Sequence, residues 1–154
     1  MKEQQDATRG AGLIRPVCGE DAEAVARLLG QLGYEQETRR LAAALAEDEP
    51  DRRVLVAVER GRVMGVLVLH LLRPLHLASG WGLISALVVD EQARGLGMGA
   101  ALLAAAEALA RSAGCGQMEL SSSLHREQAH HFYLGQGYLD KPRRFVKSLV
   151  VTAT

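Results

Sequence analysis

Residues 86–103 read ALVVDEQARGLGMGAALL, and the interpretation of the whole chain depends on this stretch. It starts as an apolar strand, continues through glycines 95, 97 and 99, and ends as an apolar helix. Glycine tolerates positive φ and lets an anion approach the backbone. The free N–H groups of the first helical turn attract negative charge to the same place. The pattern predicts a phosphate-binding loop, to which Arg94 adds charge; the alternative is a tight strand-to-helix turn without a ligand.

The same glycines also fit the GxGxxG/A pattern of dinucleotide-binding folds, with Glu119 near the position of the ribose-binding acid. Three features argue against that fold. The loop falls about two-thirds along the chain, too little sequence follows it, and the strands before it form hairpins rather than βαβ units. A phosphate-binding P-loop is also excluded because no GK[ST] sequence follows.

Composition indicates one globular domain. The chain has 154 residues, 18 basic and 18 acidic side chains and a formal net charge of zero. Bulk charge therefore favours neither a nucleic-acid nor a membrane partner. Cys18 and Cys115 form no disulfide framework, and with no secretory signal they favour a cytoplasmic protein. We expect a flexible tail over residues 1–12 and a single domain over residues 13–154.

Hydrophobic periodicity predicts alternating strands and helices. The expected strands are Leu13–Val17, Val54–Val58, Arg62–Leu72, Trp81–Val89, Gln117–Ser121 and Phe145–Val151. The expected helices are Glu20–Leu32, Glu37–Glu47, Met98–Ala113 and Arg126–Gly135. Hairpins come first and a strand–helix–strand crossover follows. This order predicts an α/β (α+β) fold with a mixed, mainly antiparallel sheet and helices on both faces.

Two motifs resemble the signatures of the GNAT N-acetyltransferases. Arg94, Gly97 and Gly99 fill the acetyl-CoA pattern Q/R-x-x-G-x-G/A. The segment Ala129–Tyr133, followed by Gly137-Tyr138, is similar to the second pattern, A-x-x-F-Y-x-x-x-G-F/Y. Within the family the chain resembles the aminoalkylphosphonate N-acetyltransferase branch.

This resemblance implies a sheet of about six or seven strands with about four helices, in which strands four and five splay apart around acetyl-CoA. Its pantetheine arm would pair with the fourth strand, and its pyrophosphate would bind the glycine loop. The implied cofactor-binding residues are Leu87, Val88, Val89, Arg94, Gly95, Leu96, Gly97, Met98, Gly99, Ala100 and Tyr133. Tyr133 would also protonate the departing thiolate, which agrees with the chemistry of a phenol beside a developing charge. The resemblance also implies a homodimer.

One departure from the family concerns the general base. Many members carry a glutamate on the fourth strand, but residues 83–86 read LISA, without a carboxylate. An amine must lose a proton before it attacks a thioester, so another group is needed. We assign His76 and Ser85 as catalytic candidates, with His70 a further imidazole at the end of the third strand. No metal site is expected. An anionic acceptor would need arginines, and the candidates are Arg73, Arg126, Arg143 and Arg144.

Together these features predict acetyl transfer from acetyl-CoA to a small primary amine by direct attack, without an acyl-enzyme. The alternative is a catalytically weak acyl-CoA-binding regulatory module, which the missing carboxylate keeps open. A nucleotide-binding oxidoreductase is a third and weaker reading.

Overall fold

The structure, a computed structural model, describes residues 12–122, 127–141 and 144–150. These residues belong to two compact units, the first ending at Ser121 and the second beginning at Ser122. Of the expected tail over residues 1–12, all but Gly12 lies outside the described residues.

The first unit contains a sheet and three helices. In chain order they are β1 (Leu13–Pro16), α1 (Ala22–Gln31), α2 (Thr38–Ala46), β2 (Arg52–Glu59), β3 (Arg62–Leu72), β4 (Gly80–Val89), α3 (Met98–Ser112) and β5 (Cys115–Leu120). The strands follow one another across the sheet in chain order. β1 to β4 pair antiparallel, whereas β5 lies parallel to β4 after the crossover through α3. The expected mixed, mainly antiparallel sheet is confirmed.

Strand side chains alternate between two faces, and each face is covered by helices. On the first, Val25 and Leu28 of α1 pack with Val56, Val66 and Val88 of the sheet. We call this the α1–α2 face. The other is covered by α3, which approaches closely at Gly65. A Cβ atom there would lie 3.1 Å from Leu102 Cδ1, so a side chain at Gly65 would push the helix away from the sheet.

Arg15 ties β1 to the 3₁₀ turn that precedes α1. Its guanidinium donates hydrogen bonds of 2.7 and 2.9 Å to the two carboxylate oxygens of the buried Asp21. These hydrogen bonds hold the pKa of Asp21 well below its usual range, against the opposing effect of burial. The pair fixes the start of α1 against the edge of the sheet.

The second unit contains α4 (Glu127–Gly135), and the strand expected after it is absent from the described part. Residues 144–150 form no strand, and Val151 lies outside the described residues. Apolar side chains occur there in adjacent pairs, and Phe145 and Leu149 are 93% and 87% exposed. A strand needs a partner for its backbone hydrogen bonds, which a local pattern does not supply. The described sheet thus has five strands, fewer than the six or seven expected.

Candidate active site

β4 extends beyond its pairing with β5, which ends at Leu120. Their paired rows end at Ile84 and Leu120, whereas β4 continues to Val89. From Ala86 to Val89 the described part of β4 pairs with β3 alone. Among the described residues, no strand pairs there with the edge of β4 that faces away from β3, and we call this segment the free edge. Such an edge offers backbone donors and acceptors to an extended ligand, as in strand addition by a peptide.

A β-bulge marks the point where this pairing ends. Val68 of β3 pairs with Ala86, and the next residue, Leu69, pairs with Ile84, which leaves Ser85 as the extra residue of β4. Bulges bend a strand and re-aim its side chains. Here the bulge lies next to the last β4–β5 row, at the point where β4 continues without β5.

The glycine loop follows directly from the carboxyl end of β4. Gly95 and Gly97 have φ of 83° and 81°, values that other residues rarely adopt. Gly97 is the N-cap of α3, so the loop leads into free first-turn amides from Met98 onward. Among the described residues, no atom lies within 4 Å of a Cβ built at Gly95 or Gly97. The backbone conformation therefore requires these glycines.

Asp90 anchors the start of this loop, and sequence reasoning missed it. The side chain, in a residue only 4% exposed, accepts a 2.8 Å hydrogen bond from the Gln92 amide and pairs with Arg27 of α1. The Gln92 hydrogen bond, with the Arg27 pair, lowers the pKa of Asp90 and outweighs burial. An Asp directly after an apolar strand is a common N-cap signal, but its link to α1 depends on tertiary structure.

Ser85 and His70 are brought together across β3 and β4. His70 Nε2 lies 2.8 Å from Ser85 Oγ, a hydrogen-bond distance. His70 is half-buried and Ser85 is exposed. His76, the other predicted imidazole, is exposed in the loop between β3 and β4. The structure thus joins Ser85 to His70 rather than to His76, the imidazole that the sequence analysis assigned as a catalytic candidate.

His70 belongs to a row of side chains that crosses four strands. It pairs with Arg52 of β2 on one side and with Leu83 of β4 on the other, and Leu83 pairs with Glu119 of β5. Paired residues share a face of the sheet, so Arg52, His70 and Glu119 lie in one row across it. Arg52 Nη2 donates to the Ala44 carbonyl of α2 at 2.6 Å.

Tyr133 lies on α4 in the second unit. It is half-buried, and its ring contacts those of Phe132 and Tyr138 with centroid distances of 5.3 and 6.2 Å. The neighbouring His130 is half-buried and His131 is exposed.

The arginines proposed for an anionic acceptor are only partly described. Arg126 and Arg143 lie outside the described structure. Arg144 is exposed, and Arg73 Nη2 donates to the Ala113 carbonyl at 3.3 Å. Within the described residues no group of three or more His, Cys, Asp or Glu side chains is arranged to hold a metal ion. In the same part of the chain, no helix has the length and apolar character to cross a membrane.

Comparison with known proteins decides the family. The model of the Acetyltransferase (GNAT) family matches residues 22–138, which include the free edge, the glycine loop and α4. The chain belongs to the GNAT acetyltransferases. It is also 37% identical over 147 residues to the aminoalkylphosphonate N-acetyltransferase of Salmonella typhimurium, covering 88% of this chain and 94% of that protein. The family and this relative together make the chain an N-acetyltransferase, and GNAT enzymes as a rule use acetyl-CoA.

Solved GNAT-like structures show the same fold. A transcriptional regulator from Bacillus halodurans superposes with a TM-score of 0.81 at 22% identity, covering 89% of this chain and 99% of that chain. An aminoglycoside acetyltransferase from an uncultured soil metagenomic sample, in complex with trehalose, gives a TM-score of 0.78 at 17% identity, covering 93% and 99%. At these identities the likeness concerns the fold alone.

Proposed function

We propose that this protein transfers the acetyl group of acetyl-CoA to the amine of a small aminoalkylphosphonate. The observation that carries the proposal is the free edge of β4, which begins at the bulge and runs into the glycine loop. Acetyl-CoA supplies a thioester, whose acetyl group passes to the amine. The edge suits an extended arm, and the loop suits a pyrophosphate.

All but one of the residues that would hold acetyl-CoA lie along these two segments, the exception being Tyr133 on α4. Leu87, Val88 and Val89 would pair with the pantetheine arm, and the amides of the loop and the first helical turn would bind the pyrophosphate. Arg94 is exposed beside that loop, where its charge would attract phosphate. The full proposed set is Leu87, Val88, Val89, Arg94, Gly95, Leu96, Gly97, Met98, Gly99, Ala100 and Tyr133.

The acceptor class rests on the Salmonella relative, whose name specifies aminoalkylphosphonates. Its identity of 37% extends over nearly all of both chains. A phosphonate dianion would need a cationic partner, and the exposed Arg73 and Arg144 are the described arginines of the proposed set.

Chemically, we propose direct attack of the amine, without an acyl-enzyme. Tyr133 would donate its phenolic proton to the sulfur that leaves, which makes the thiolate a better leaving group. The amine must first give up a proton, and Ser85 or His76 would receive it in this proposal. Neither cysteine falls within the proposed set: Cys18 precedes α1 and Cys115 begins β5.

We further propose a cytoplasmic homodimer. The two free cysteines suit a reducing compartment. Residues 144–150 expose four large apolar side chains, an arrangement that favours contact with a second copy. The four are Phe145, Val146, Leu149 and Val150.

The acceptor assignment is tested by comparing matched amines. We would follow thiol release from acetyl-CoA with 2-aminoethylphosphonate, β-alanine, a polyamine and an aminoglycoside, and verify the products by mass spectrometry. β-Alanine is the matched control because it replaces the phosphonate with a carboxylate. We expect kcat/KM for the phosphonate to exceed that for β-alanine about 100-fold, since the site would be built for a dianion. Equal values, or faster turnover of the polyamine, would contradict this acceptor class.

A further inference from the structure

The free edge of β4 has two ends, one at the glycine loop and the other at Ser85. The second end determines where acetyl transfer would occur. The loop follows the carboxyl end of β4, so a ligand arm that pairs with the edge runs from the loop back toward Ala86 and Ser85. Beyond Ser85 the edge is closed, because Ile84 pairs with Leu120 of β5. The reactive end of such an arm would therefore arrive beside the bulge.

Two side chains at the bulge form a polar pair. Ser85 Oγ lies 2.8 Å from His70 Nε2, and both residues belong to the α1–α2 face of the sheet. The pair lies at the end of this face, past the buried residues Val66 and Val88 that pack against α1. Ser85 is exposed and His70 is half-buried, so a small amine in solution can reach the hydroxyl.

We propose that Ser85 and His70 form the proton relay that deprotonates the acceptor amine, an inference that rests on the proposed function. Ser85 Oγ accepts the amine proton while its own proton passes to His70 Nε2. The freed nitrogen lone pair forms the N–C bond to the acetyl carbon, the C–S bond breaks, and its electron pair remains on sulfur. Sulfur takes a proton from the general acid, and the second proton that the nitrogen loses as the amide forms restores that acid. The imidazolium returns its proton to water, so one proton is released for each ammonium acetylated.

The neighbouring charges are compatible with this role. Arg52 on β2 lies beside His70, but its guanidinium donates to the Ala44 carbonyl of α2 and pairs at 3.3 Å with Glu49 in the loop after α2. Glu119 on β5 lies two strands from His70, about 10 Å between Cα atoms at the usual strand spacing. α2, which packs on the same face, carries Arg39 and Arg40 at exposed positions, and the loop after β3 carries Arg73 and His76.

The relay requires that neutral His70 accept a hydrogen bond at Nε2 and carry its proton on Nδ1. The ¹⁵N chemical shifts of the ring, measured by NMR on the protein without ligands, report this tautomer. We expect the His70 Nε2 signal to be that of an acceptor, and to shift in Ser85→Ala. A signal from protonated Nε2, which would donate to Ser85, would overturn the relay.

The kinetic test is the pH profile of kcat/KM for 2-aminoethylphosphonate in wild type, His70→Gln and Ser85→Ala. With the relay, kcat/KM should reach a plateau at high pH, because the amine is deprotonated within the complex. Without it, only the rare neutral amine reacts, so we expect about 100-fold lower kcat/KM at pH 7 and a continuous tenfold rise for each pH unit. Ser85→Thr keeps the hydroxyl and should keep the plateau.

Two comparisons separate the relay from other causes of lost activity. The difluoro analogue of 2-aminoethylphosphonate with fluorine next to the phosphonate has a less basic amine, so the variants should lose far less activity with it. The Kd for acetyl-CoA should change less than about threefold in all variants, since neither Ser85 nor His70 belongs to the proposed acetyl-CoA-binding set. A wild-type pH profile of kcat/KM in His70→Gln would overturn the relay but not the proposed function. Loss of activity in His76→Gln would strengthen that conclusion. No wild-type turnover of the phosphonate would overturn the proposed function as well.

Discussion

At the scale of single residues, Asp90 is the buried carboxylate that connects the glycine loop to helix α1. It receives hydrogen bonds from the Gln92 amide and from Arg27 and Gln31 of α1. Arg27 also donates to the Val63 carbonyl at 3.0 Å, so one guanidinium joins α1, β3 and the loop. A change at Asp90 should therefore affect both stability and the position of the loop.

Asp90→Asn removes the charge and keeps an acceptor for the Gln92 amide. We expect the free energy of unfolding at pH 7 to fall by about 1–3 kcal/mol, because Arg27 loses its ionic partner in a partly solvated pair. The pKa of Asp90 is lowered on folding, so its charge stabilises the fold above the unfolded pKa, near pH 4, and this contribution disappears as the pH falls through the folded value.

Urea unfolding of wild type and Asp90→Asn between pH 3 and pH 8 measures this difference. The two curves should be separated at neutral pH and converge in acid. Glu91→Gln removes a charge from the exposed neighbour and should change stability by less than about 0.5 kcal/mol. A constant difference at every pH would show that the charge of Asp90 is not its source.

Sequence reasoning at this scale identified residue types but not their partners. The glycine loop and Ser85 could be proposed from the sequence because their residue types suggest phosphate binding and proton transfer. The contact of Ser85 with His70 depends on a bulge that shifts the β3–β4 register by one residue, and no local pattern predicts that shift. Asp90 was missed for the same reason, since Arg27 is 63 residues away in sequence.

At the scale of elements, the loop before α3 and the turn after it offer a matched pair of glycines. Gly97 precedes α3 with φ of 81°, and Gly114 follows it with φ of 84°. A Cβ at either position would meet no described atom within 4 Å, so alanine introduces the same backbone strain at both, about 1–2 kcal/mol.

Gly97→Ala and Gly114→Ala should therefore lower stability by similar amounts but differ in cofactor binding. We expect Gly97→Ala to raise the Kd for acetyl-CoA at least tenfold, because the strained loop would turn its amides away from the pyrophosphate. Gly114→Ala should leave that Kd within about twofold. Calorimetric titration and urea unfolding measure both quantities, and equal Kd values in the two variants would contradict the loop assignment.

Elements with a strong hydrophobic period were predictable to within about two residues, as typical of boundary assignment. The strand Arg62–Leu72 was predicted with its observed bounds, and the helix expected over Met98–Ala113 ends one residue earlier, at Ser112. The first helix begins at Ala22, two residues later than predicted, because Gly19–Asp21 forms a 3₁₀ turn. In that turn the Asp21 carboxylate accepts hydrogen bonds from Arg15 and from the Cys18 amide.

At the scale of the whole molecule, the order of hairpins and crossover was enough to predict the sheet. The strand predicted over Phe145–Val151 is absent from residues 144–150, because a local apolar pattern does not supply the partner that a strand needs. The exposed apolar side chains at positions 145, 146, 149 and 150 favour contact with another apolar surface, but they do not identify that surface. The proposed homodimer assigns that contact to a second copy of the chain.

Replacing Phe145 and Leu149 together by glutamate should convert the dimer into a monomer, because charge would replace apolar surface. Analytical ultracentrifugation of wild type and variant measures the mass directly. Lys147→Glu places the same carboxylate at an exposed polar position of the segment and should leave the dimer intact. A monomeric wild-type protein would contradict the proposal.

The central claim, catalysis of acetyl transfer to a small amine, is tested most directly by thiol release from acetyl-CoA in wild type and Tyr133→Phe. With 2-aminoethylphosphonate we predict saturable wild-type turnover and a kcat about 100-fold lower in the variant, with similar affinity for acetyl-CoA, since the phenolic proton acts only as the C–S bond breaks. Absence of turnover on every amine tested, while acetyl-CoA still raises the Tm, would contradict the account and favour an acyl-CoA-binding regulator.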